Sequence, residues 1–250
     1  MSVSLFLPTR KGSQRVINKN TKPFSDVEGG ILELKLRELI KVRNIDQIIL
    51  STNDEESIRV AELVNSSKIL VIERPDRLCQ SSTLIEDFIN YIPTIVDTEH
   101  IFWVHATTPF VLTQDYELAL ATYLEKISRS WDSLLSVTKY QKFLWDVEKN
   151  DVINFNRQEI KWPQTQDLTP LYEINHAFYI SSRVNYLKYH DRIGIKPYMY
   201  ELNHLKSFDI DWEEDFLIGE AIYEKLKKSG LSDAHLLIKY FRMQSDENNG

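Results

Sequence analysis

The sequence predicts an α/β fold, a doubly wound and mostly parallel sheet with helices on both faces. Short apolar, β-rich runs alternate with amphipathic segments of helical spacing from the N-terminus to about residue 137. The chain has 250 residues, enough for one large α/β unit with a real core. Its composition, 42% hydrophobic and 27% charged, is ordinary for a globular protein and excludes disorder as the main state.

Each element of the first half has a local signal. Leu32, Leu36 and Leu39 recur at helical spacing, and Lys and Arg gather near the end of that segment, where they suit the helix dipole. Ser51-Thr52-Asn53-Asp54 is typical of a turn and N-cap between a strand and a helix. The predicted strands are 3–7, 47–50, 68–72, 100–104 and 133–137, and the predicted helices are 32–42, 55–64, 83–96 and 113–127.

The pattern changes between residues 138 and 172, which we interpret as an excursion from the sheet. The runs 143–147 and 152–155 indicate an antiparallel hairpin, and an irregular Gln-rich loop follows. Its aromatic residues exceed what a small hairpin can bury, so they contact either a partner subunit or their own domain, and the residues alone leave both open. These residues are Tyr140, Phe143, Trp145, Phe155 and Trp162.

After the excursion the α/β pattern returns. We predict strands at 176–180 and 206–210, a helix at 212–228 and a polar, frayed end at 244–250. The predicted organisation is one α/β domain formed by residues 1–137 and 173–243, with residues 138–172 inserted as an arm.

Charge and cysteine usage restrict the partners and the compartment. With 30 Lys and Arg against 37 Asp and Glu, the net charge of -7 disfavours a nucleic-acid partner. Cys79 is the single cysteine, so no intrachain disulfide forms and a cytoplasmic location is expected. The N-terminus lacks the pattern of a signal peptide, and no apolar run approaches the roughly 20 residues of a membrane span.

The loop after the first strand is the most unusual segment. Between Arg10 and Lys22 it carries five basic and no acidic residues, and Gly12 and Ser13 can turn backbone N–H groups towards an anion. A polyphosphate site and a solvated basic loop are both compatible with this composition. The spacings of the P-loop and of the dinucleotide-binding motif are absent.

A pair of carboxylates, Asp209 and Asp211, ends the predicted strand 206–210. On a strand this spacing places both on one side, where they suit Mg²⁺, which takes one or two carboxylates together with substrate phosphate oxygens. The alternative is structural: Asp211 is a plausible N-cap of the last helix, with Glu214 completing a capping box.

Two further segments fall on the same predicted edge of the sheet, where open parallel sheets bind ligands. Arg74 and Pro75 follow the third strand, and His105 follows the fourth. His105 is either a general base or a hydrogen-bonded structural residue.

The segments Leu7-Pro8-Thr9-Arg10-Lys11-Gly12-Ser13-Gln14-Arg15, Lys19-Asn20 and Lys22-Pro23 resemble the N-terminal signature of the acylneuraminate cytidylyltransferases. Further matches to that family occur in order along the chain, from about residue 3 to residue 220. They are Ser51-Thr52-Asn53-Asp54, Arg74-Pro75 through Leu78, Thr107-Thr108-Pro109, Gln166-Asp167-Leu168, Asn175-His176-Ala177 and Asp209-Ile210-Asp211.

This resemblance implies a Rossmann-like nucleotidyltransferase fold and attack by the anomeric hydroxyl of a 2-keto sugar acid on the α-phosphate of CTP, which gives CMP-sugar and pyrophosphate. It also implies Mg²⁺ as the cofactor and a homodimer formed through an arm at the position of residues 138–172. Carried over by position, Arg10 and Lys19 hold the triphosphate, Ser13, Asn20 and Arg74 contact the nucleotide, Gln166 and Asn175 contact the sugar, and Asp209 and Asp211 hold the metal. Arg10, Lys19 and Asp211 are the implied catalytic residues.

Several positions depart from the family pattern. Ser13-Gln14-Arg15 is more similar to the related Kdo cytidylyltransferases, and His105 stands where a Gln is common. Glu173 replaces an Arg and His176 replaces a Gly, which weakens the sugar half of the inference. The alternatives are therefore a Kdo-type synthetase, a metal-dependent glycosyltransferase with a D-x-D site, and a catalytically silent nucleotide-binding protein.

Overall fold

Strands and helices alternate along most of the chain in a computed structural model that describes residues 1–229. The strands are β1 (Val3–Pro8), β2 (Gln47–Thr52), β3 (Ile69–Glu73), β4 (His100–Val104), β5 (Ser133–Tyr140), β6 (Trp145–Asp146), β7 (Asp151–Val152), β8 (Leu171–Ser182) and β9 (Pro197–Glu201). The helices are α1 (Gly30–Leu39), α2 (Glu55–Val64), α3 (Ile85–Ile95), α4 (Thr113–Ile127), α5 (Arg183–Tyr189) and α6 (Glu213–Lys228). Among these residues no helix combines the length and apolarity needed to cross a membrane.

Seven strands form one sheet in the order β3-β2-β1-β4-β8-β5-β9. All neighbouring pairs are parallel except those of β8, which runs antiparallel between β4 and β5. The predicted doubly wound, mostly parallel α/β fold is therefore confirmed. The antiparallel strand reverses the chain, so the start of β8 lies at the edge where β4 ends.

The core lies on both faces of the sheet. Along β1, Leu5 points to the face covered by α1, α2 and α4, whereas Phe6 points to the face covered by α3 and α5. Both side chains are fully buried. Burial on both faces explains why the parallel strands have continuous apolar runs instead of alternating ones.

The prediction of a strand at residues 206–210 is wrong. Phe208 and Ile210 alternate with polar residues because they pack against separate aromatic neighbours, Phe110 and Phe216, and no sheet strand pairs with this segment. The backbone N–H of Ile210 instead donates to the carbonyl of Thr107, at 2.9 Å. Helix α5 and strand β9, in turn, were not predicted, because their apolar runs are short.

The predicted excursion is present, and its hairpin is confirmed as the antiparallel pair β6 and β7. Because β5 continues to Tyr140 and β8 begins at Leu171, the excursion itself spans residues 141–170. Phe143 makes edge-on contacts, at 5.6 Å between ring centroids, with Phe155 and Trp162. Trp162 nevertheless remains 74% exposed. The aromatic residues therefore pack partly on one another and still leave apolar surface uncovered.

The division into a domain and an inserted arm stays a prediction. The last part of the predicted α/β domain, residues 230–243, lies outside the described residues. The predicted frayed end at 244–250 lies outside them as well.

Candidate active site

A cavity of about 580 Å³ opens where β1, β3 and β4 end. This edge is where open parallel sheets bind ligands, and the volume suits a nucleotide-sized molecule. Among the described residues that line the cavity, none is acidic. The basic lining residues are Arg10, Arg15, Lys19, Arg74 and Arg192. The local charge is therefore opposite to that of the whole chain and suits a polyanion.

The loop after β1 forms one wall of the cavity and is fixed at both ends. At its start, the N–H of Lys11 donates to the side-chain oxygen of Asn53, at 3.1 Å. At its end, the carbonyl of Asn20 accepts from the N–H of Leu32, at 2.9 Å. Gly30 makes this approach possible: its φ is +67°, and a Cβ there would lie 2.4 Å from the carbonyl oxygen of Lys22.

Arg10 and Ser13 both lie at the cavity, as the sequence predicts. The Arg10 guanidinium reaches from the loop to the segment after β3, where it donates to the carbonyl of Cys79, at 2.9 Å. This contact uses one nitrogen, Nη1, which also lies 3.4 Å from the hydroxyl of Ser81. Gly12 next to Ser13 has a φ of +79°, a left-handed conformation that turns the chain at this point.

Arg74 lines the cavity but is 4% exposed, and its side chain is engaged by the protein. Its Nη2 donates to the carbonyl of Thr9, and its Nε lies 3.0 Å from the sulfur of Cys79. The guanidinium also stacks over Phe88, at 4.6 Å from the ring centroid. Arg74 therefore braces the start of the basic loop, and its contact with a nucleotide stays a prediction.

Lys19 and Arg15 meet Asp211 beside the cavity. The ammonium of Lys19 donates to the Ile210 carbonyl, at 2.6 Å, and to Asp211 Oδ1, at 3.1 Å. Arg15 binds both carboxylate oxygens of Asp211, at 2.9 and 3.1 Å, and stacks over Trp212. The two predicted functional segments, the basic loop and the carboxylate pair, are therefore joined by ion pairs that were not predicted from the sequence.

The structural alternative, with Asp211 as the N-cap of the last helix and Glu214 completing a capping box, is wrong. The helix begins at Glu213, and its capping carboxylate is Asp215. Asp215 Oδ2 accepts from the N–H groups of Asp211 and Trp212, at 3.0 and 2.7 Å. Because Asp215 satisfies these donors, the Asp211 side chain takes no part in capping and pairs with Arg15 and Lys19 instead.

Asp209 carries a buried carboxylate oxygen, Oδ1, that has no hydrogen-bond partner. Burial raises the pKa of Asp209, and the neighbouring charge of Asp211 raises it further, while a hydrogen bond from Thr107 lowers it. A buried oxygen without a donor, next to a second carboxylate, is the kind of donor set that a hard cation satisfies. Among the described residues, no larger cluster of metal-ligating side chains accompanies these two.

At another part of the cavity lies a group of rings and one arginine. Arg192 stacks over Tyr179 and Trp103, at 4.0 and 4.7 Å from the ring centroids. Sequence analysis missed Arg192, because it follows the unpredicted helix α5 and belongs to no recognised motif. An isolated arginine in a loop is a weak signal, so only its position beside two aromatic residues identifies it.

His105 lies next to this group and is not a base of ordinary strength. Burial, with the nearby positive charge of Arg192, lowers the pKa of His105 to about 3. Its Nδ1 is buried without a hydrogen-bond partner. His105 is therefore neutral near pH 7, suited to hydrogen bonding and poorly suited to general base catalysis.

The two predicted sugar-binding residues lie outside the set that lines the cavity. Gln166 is exposed on the excursion, and its carbonyl accepts from Gln141, at 2.8 Å. The amide of Asn175 is engaged within the sheet by the hydroxyls of Ser136 and Thr138, at 2.6 and 2.9 Å. This structure does not bring either residue to the cavity, and their contact with a sugar stays a prediction.

Comparisons with known proteins identify the family of the chain. Residues 5–243 match the family model described as cytidylyltransferase. A pseudaminic acid cytidylyltransferase of Campylobacter jejuni is 24% identical over 227 residues, which cover 87% of this chain and 94% of the relative. An N-acylneuraminate cytidylyltransferase of Streptococcus agalactiae is 23% identical over 235 residues, which cover 87% of this chain and 53% of that relative.

Solved structures support the same fold. The structure of a CMP:2-keto-3-deoxy-manno-octonic acid synthetase in complex with CTP has a TM-score of 0.63 at 13% identity, and the alignment covers 90% of this chain and 99% of that one. A 4-diphosphocytidyl-2C-methyl-D-erythritol synthase from Anaerococcus prevotii has a TM-score of 0.62 at 16% identity, with coverage of 89% and 96%.

Proposed function

Because the chain belongs to the cytidylyltransferase family and is a nucleotidyltransferase, we propose that it joins CTP to the anomeric hydroxyl of a nonulosonate, a sialic-acid-like 2-keto sugar acid. The products are CMP-sugar and pyrophosphate. The observation that carries the proposal is the cavity at the ends of β1, β3 and β4, with five basic and no acidic side chains among the described residues that line it. Such a lining stabilises the charge that gathers on phosphate oxygens during transfer.

Arg10 and Lys19 are proposed to hold the triphosphate, with Ser13 and Asn20 beside them along the same loop. Lys19 is suited to this task because its side chain is only 12% exposed and its ammonium is fixed by two acceptors. A fixed cation loses little freedom when a phosphate binds. Arg74 contributes by fixing the start of the loop, which keeps the backbone N–H groups of this segment in place.

Mg²⁺ is proposed as the cofactor, held by Asp209 and Asp211. The unsatisfied buried oxygen of Asp209 and the neighbouring Asp211 carboxylate support this assignment. When bound, the ion neutralises charge on the phosphate oxygens and orients them. Asp211 is also held by Arg15 and Lys19, so the two basic side chains keep its carboxylate beside the cavity.

A nonulosonate is proposed as the acceptor because the pseudaminic acid enzyme of Campylobacter jejuni matches this chain over 94% of its own length. Sialic acids and Kdo are further candidate acceptors, because this chain is also similar to an N-acylneuraminate cytidylyltransferase and to a Kdo synthetase. Selection among these sugar acids is assigned to the part of the cavity beside His105, which stands where the family commonly has a Gln.

Two further features belong to the proposal. Trp145 and Trp162 on the excursion are 52% and 74% exposed, which supports a homodimer in which this arm contacts a second copy of the chain.

The free thiol of Cys79 is buried beside Arg74, which is compatible with a reducing compartment such as the cytoplasm.

The test is incubation of the purified chain with Mg²⁺, CTP and a panel of pseudaminate, N-acetylneuraminate, legionaminate and Kdo, with pyrophosphate release as the measurement. ATP, GTP and UTP serve as nucleotide controls. We expect release with CTP and at least one nonulosonate, and CMP-sugar by mass spectrometry. Asp211→Asn should lower this turnover at least about 100-fold while leaving the protein folded. CTP binding without turnover on any acceptor would overturn the proposed activity.

A further inference from the structure

The guanidinium of Arg192 is a cation of the cavity that the triphosphate site does not use. It follows α5 and lies against Trp103 of β4 and Tyr179 of β8, whereas the proposed phosphate loop follows β1. Within the described residues it forms no ion pair, and neither Asp191 nor Glu173 reaches it. A partly buried arginine without a carboxylate partner, in a cavity free of acidic lining residues, is available to an anionic ligand.

The surroundings of Arg192 fix its position. The guanidinium carbon lies over both aromatic rings, and its Nη2 lies 3.4 Å from Nδ1 of His176. That imidazole is in turn held by the hydroxyl of Tyr179, at 2.6 Å, and His176 adopts a φ of +57°. Arg192 is therefore placed by cation–π contacts and one hydrogen bond, which leave its other N–H groups for a ligand.

A buried ring nitrogen beside Arg192, Nδ1 of His105, has no hydrogen-bond partner among the described residues. His105 packs on the same Trp103 ring, at 5.7 Å between centroids, and its buried Nδ1 makes no hydrogen bond. Buried polar atoms are normally satisfied, so this nitrogen indicates a ligand atom at the same end of the cavity. A cation without a carboxylate partner and an imidazole nitrogen without a hydrogen bond together suit an anion that carries neighbouring hydroxyl groups.

We propose that Arg192 binds the carboxylate of the sugar acid and that His105 hydrogen-bonds one of its hydroxyl groups. This inference rests on the proposed function, because it assigns the acceptor half of the same cavity. Arg10 and Lys19 lie instead on the loop after β1, which is the proposed triphosphate site. A planar carboxylate matches the two-donor edge of a guanidinium, so Arg192 selects acids over neutral sugars.

The experiment compares an accepted sugar acid with its carboxamide, a neutral analogue of nearly the same shape, in four proteins. The first three are the wild-type chain, Arg192→Met, which keeps apolar packing on the rings, and the matched control Arg59→Met on exposed α2. The fourth, Arg192→Lys, keeps the charge without the planar fork. The kinetic constants for CTP and for the acceptor are measured separately, and CTP binding is measured by calorimetry.

We expect wild type and Arg59→Met to prefer the acid about 100-fold in kcat/KM, and Arg192→Met to prefer it less than about tenfold, with unchanged CTP affinity. Arg192→Lys should fall between them. An acid preference that survives in Arg192→Met would overturn the inference and leave the proposed function standing. Weakened CTP binding in Arg192→Met would indicate that Arg192 binds a phosphate group or has a structural role. This result would also overturn the inference. Absence of turnover on every acid in the wild type would overturn the proposed function itself.

Discussion

Arg15 and Asp211 are 196 residues apart in the chain, and the guanidinium of one binds both carboxylate oxygens of the other, at 2.9 and 3.1 Å. Lys19 joins the same carboxylate, at 3.1 Å. The pair connects the basic loop after β1 to the start of α6. A metal ion that binds Asp211 competes with Arg15 for the same oxygens.

Removing the Arg15 guanidinium should therefore strengthen the activation of turnover by Mg²⁺. In Arg15→Gln we expect the Mg²⁺ concentration for half-maximal turnover to fall roughly two- to fivefold, because a half-exposed ion pair is worth up to about 1 kcal/mol. The measurement is a Mg²⁺ titration of pyrophosphate release at saturating CTP. Lys11→Gln, which breaks an exposed pair with Glu55, is the matched control and should leave the titration unchanged. A weaker response to Mg²⁺ in Arg15→Gln would show that Arg15 supports the metal site.

Lys35 is buried beneath the loop after β4, and its stability contribution should depend on pH. Its ammonium donates to the carbonyls of Thr108 and Val111, at 2.8 and 3.0 Å, and to the hydroxyl of Tyr116, at 2.7 Å. Burial lowers the pKa of Lys35 to about 7. Between pH 7 and about 10 the unfolded chain then binds more protons than the folded one, so stability rises with pH over this window.

The test for Lys35 is urea unfolding of the wild type and Lys35→Met at pH 7 and pH 9. The difference between the free energies of unfolding of the wild type and of Lys35→Met should increase in favour of the wild type as the pH rises. At pH 9 the variant should be less stable by about 1–3 kcal/mol, because it leaves buried acceptors without a donor. Lys41→Met, on the exposed end of the same region, controls for loss of a surface charge. Equal pH dependence in the two proteins would contradict the lowered pKa.

His105 should not contribute a titration to the rate near neutral pH. Since burial lowers its pKa to about 3, the imidazole stays neutral from pH 5.5 to 8.5. We therefore expect His105→Gln to keep the shape of the pH profile of kcat/KM and to change its height by less than about tenfold. His105→Leu, which cannot hydrogen-bond, should raise the KM for the sugar acid. Loss of an acidic limb in His105→Gln would instead identify His105 as a general base.

The excursion should control the oligomeric state. Trp162 is 74% exposed although it packs edge-on against Phe143. Trp162→Arg is expected to weaken self-association at least about tenfold, since exposed aromatic surface favours an interface. The measurement is sedimentation velocity over a concentration series. Leu63→Arg on α2, where the wild-type residue is 53% exposed, is the control for a new surface charge. Identical behaviour of the two variants would exclude Trp162 from an interface.

The alternation of strands and helices was predictable because its signal is local. Leu32, Leu36 and Leu39 repeat at helical spacing and are fully buried on α1. Strand β4 and helix α4 have the predicted bounds, 100–104 and 113–127. The same locality explains the failure at 206–210, where the alternation of Phe208 and Ile210 reflects two aromatic contacts and no strand pairing.

The sequence by itself determined the fold class, the basic loop after β1 and the family to which its motifs belong. These signals depend only on residues that are close together in the chain. Only the tertiary structure decided that Arg15 and Lys19 bind Asp211, that Asp215 caps α6, and that Arg192 stacks on Tyr179 beside His105. These contacts join positions that no spacing rule relates. The sheet order determines their partners, because it brings the ends of β1 and β4 and the start of β8 together at one edge.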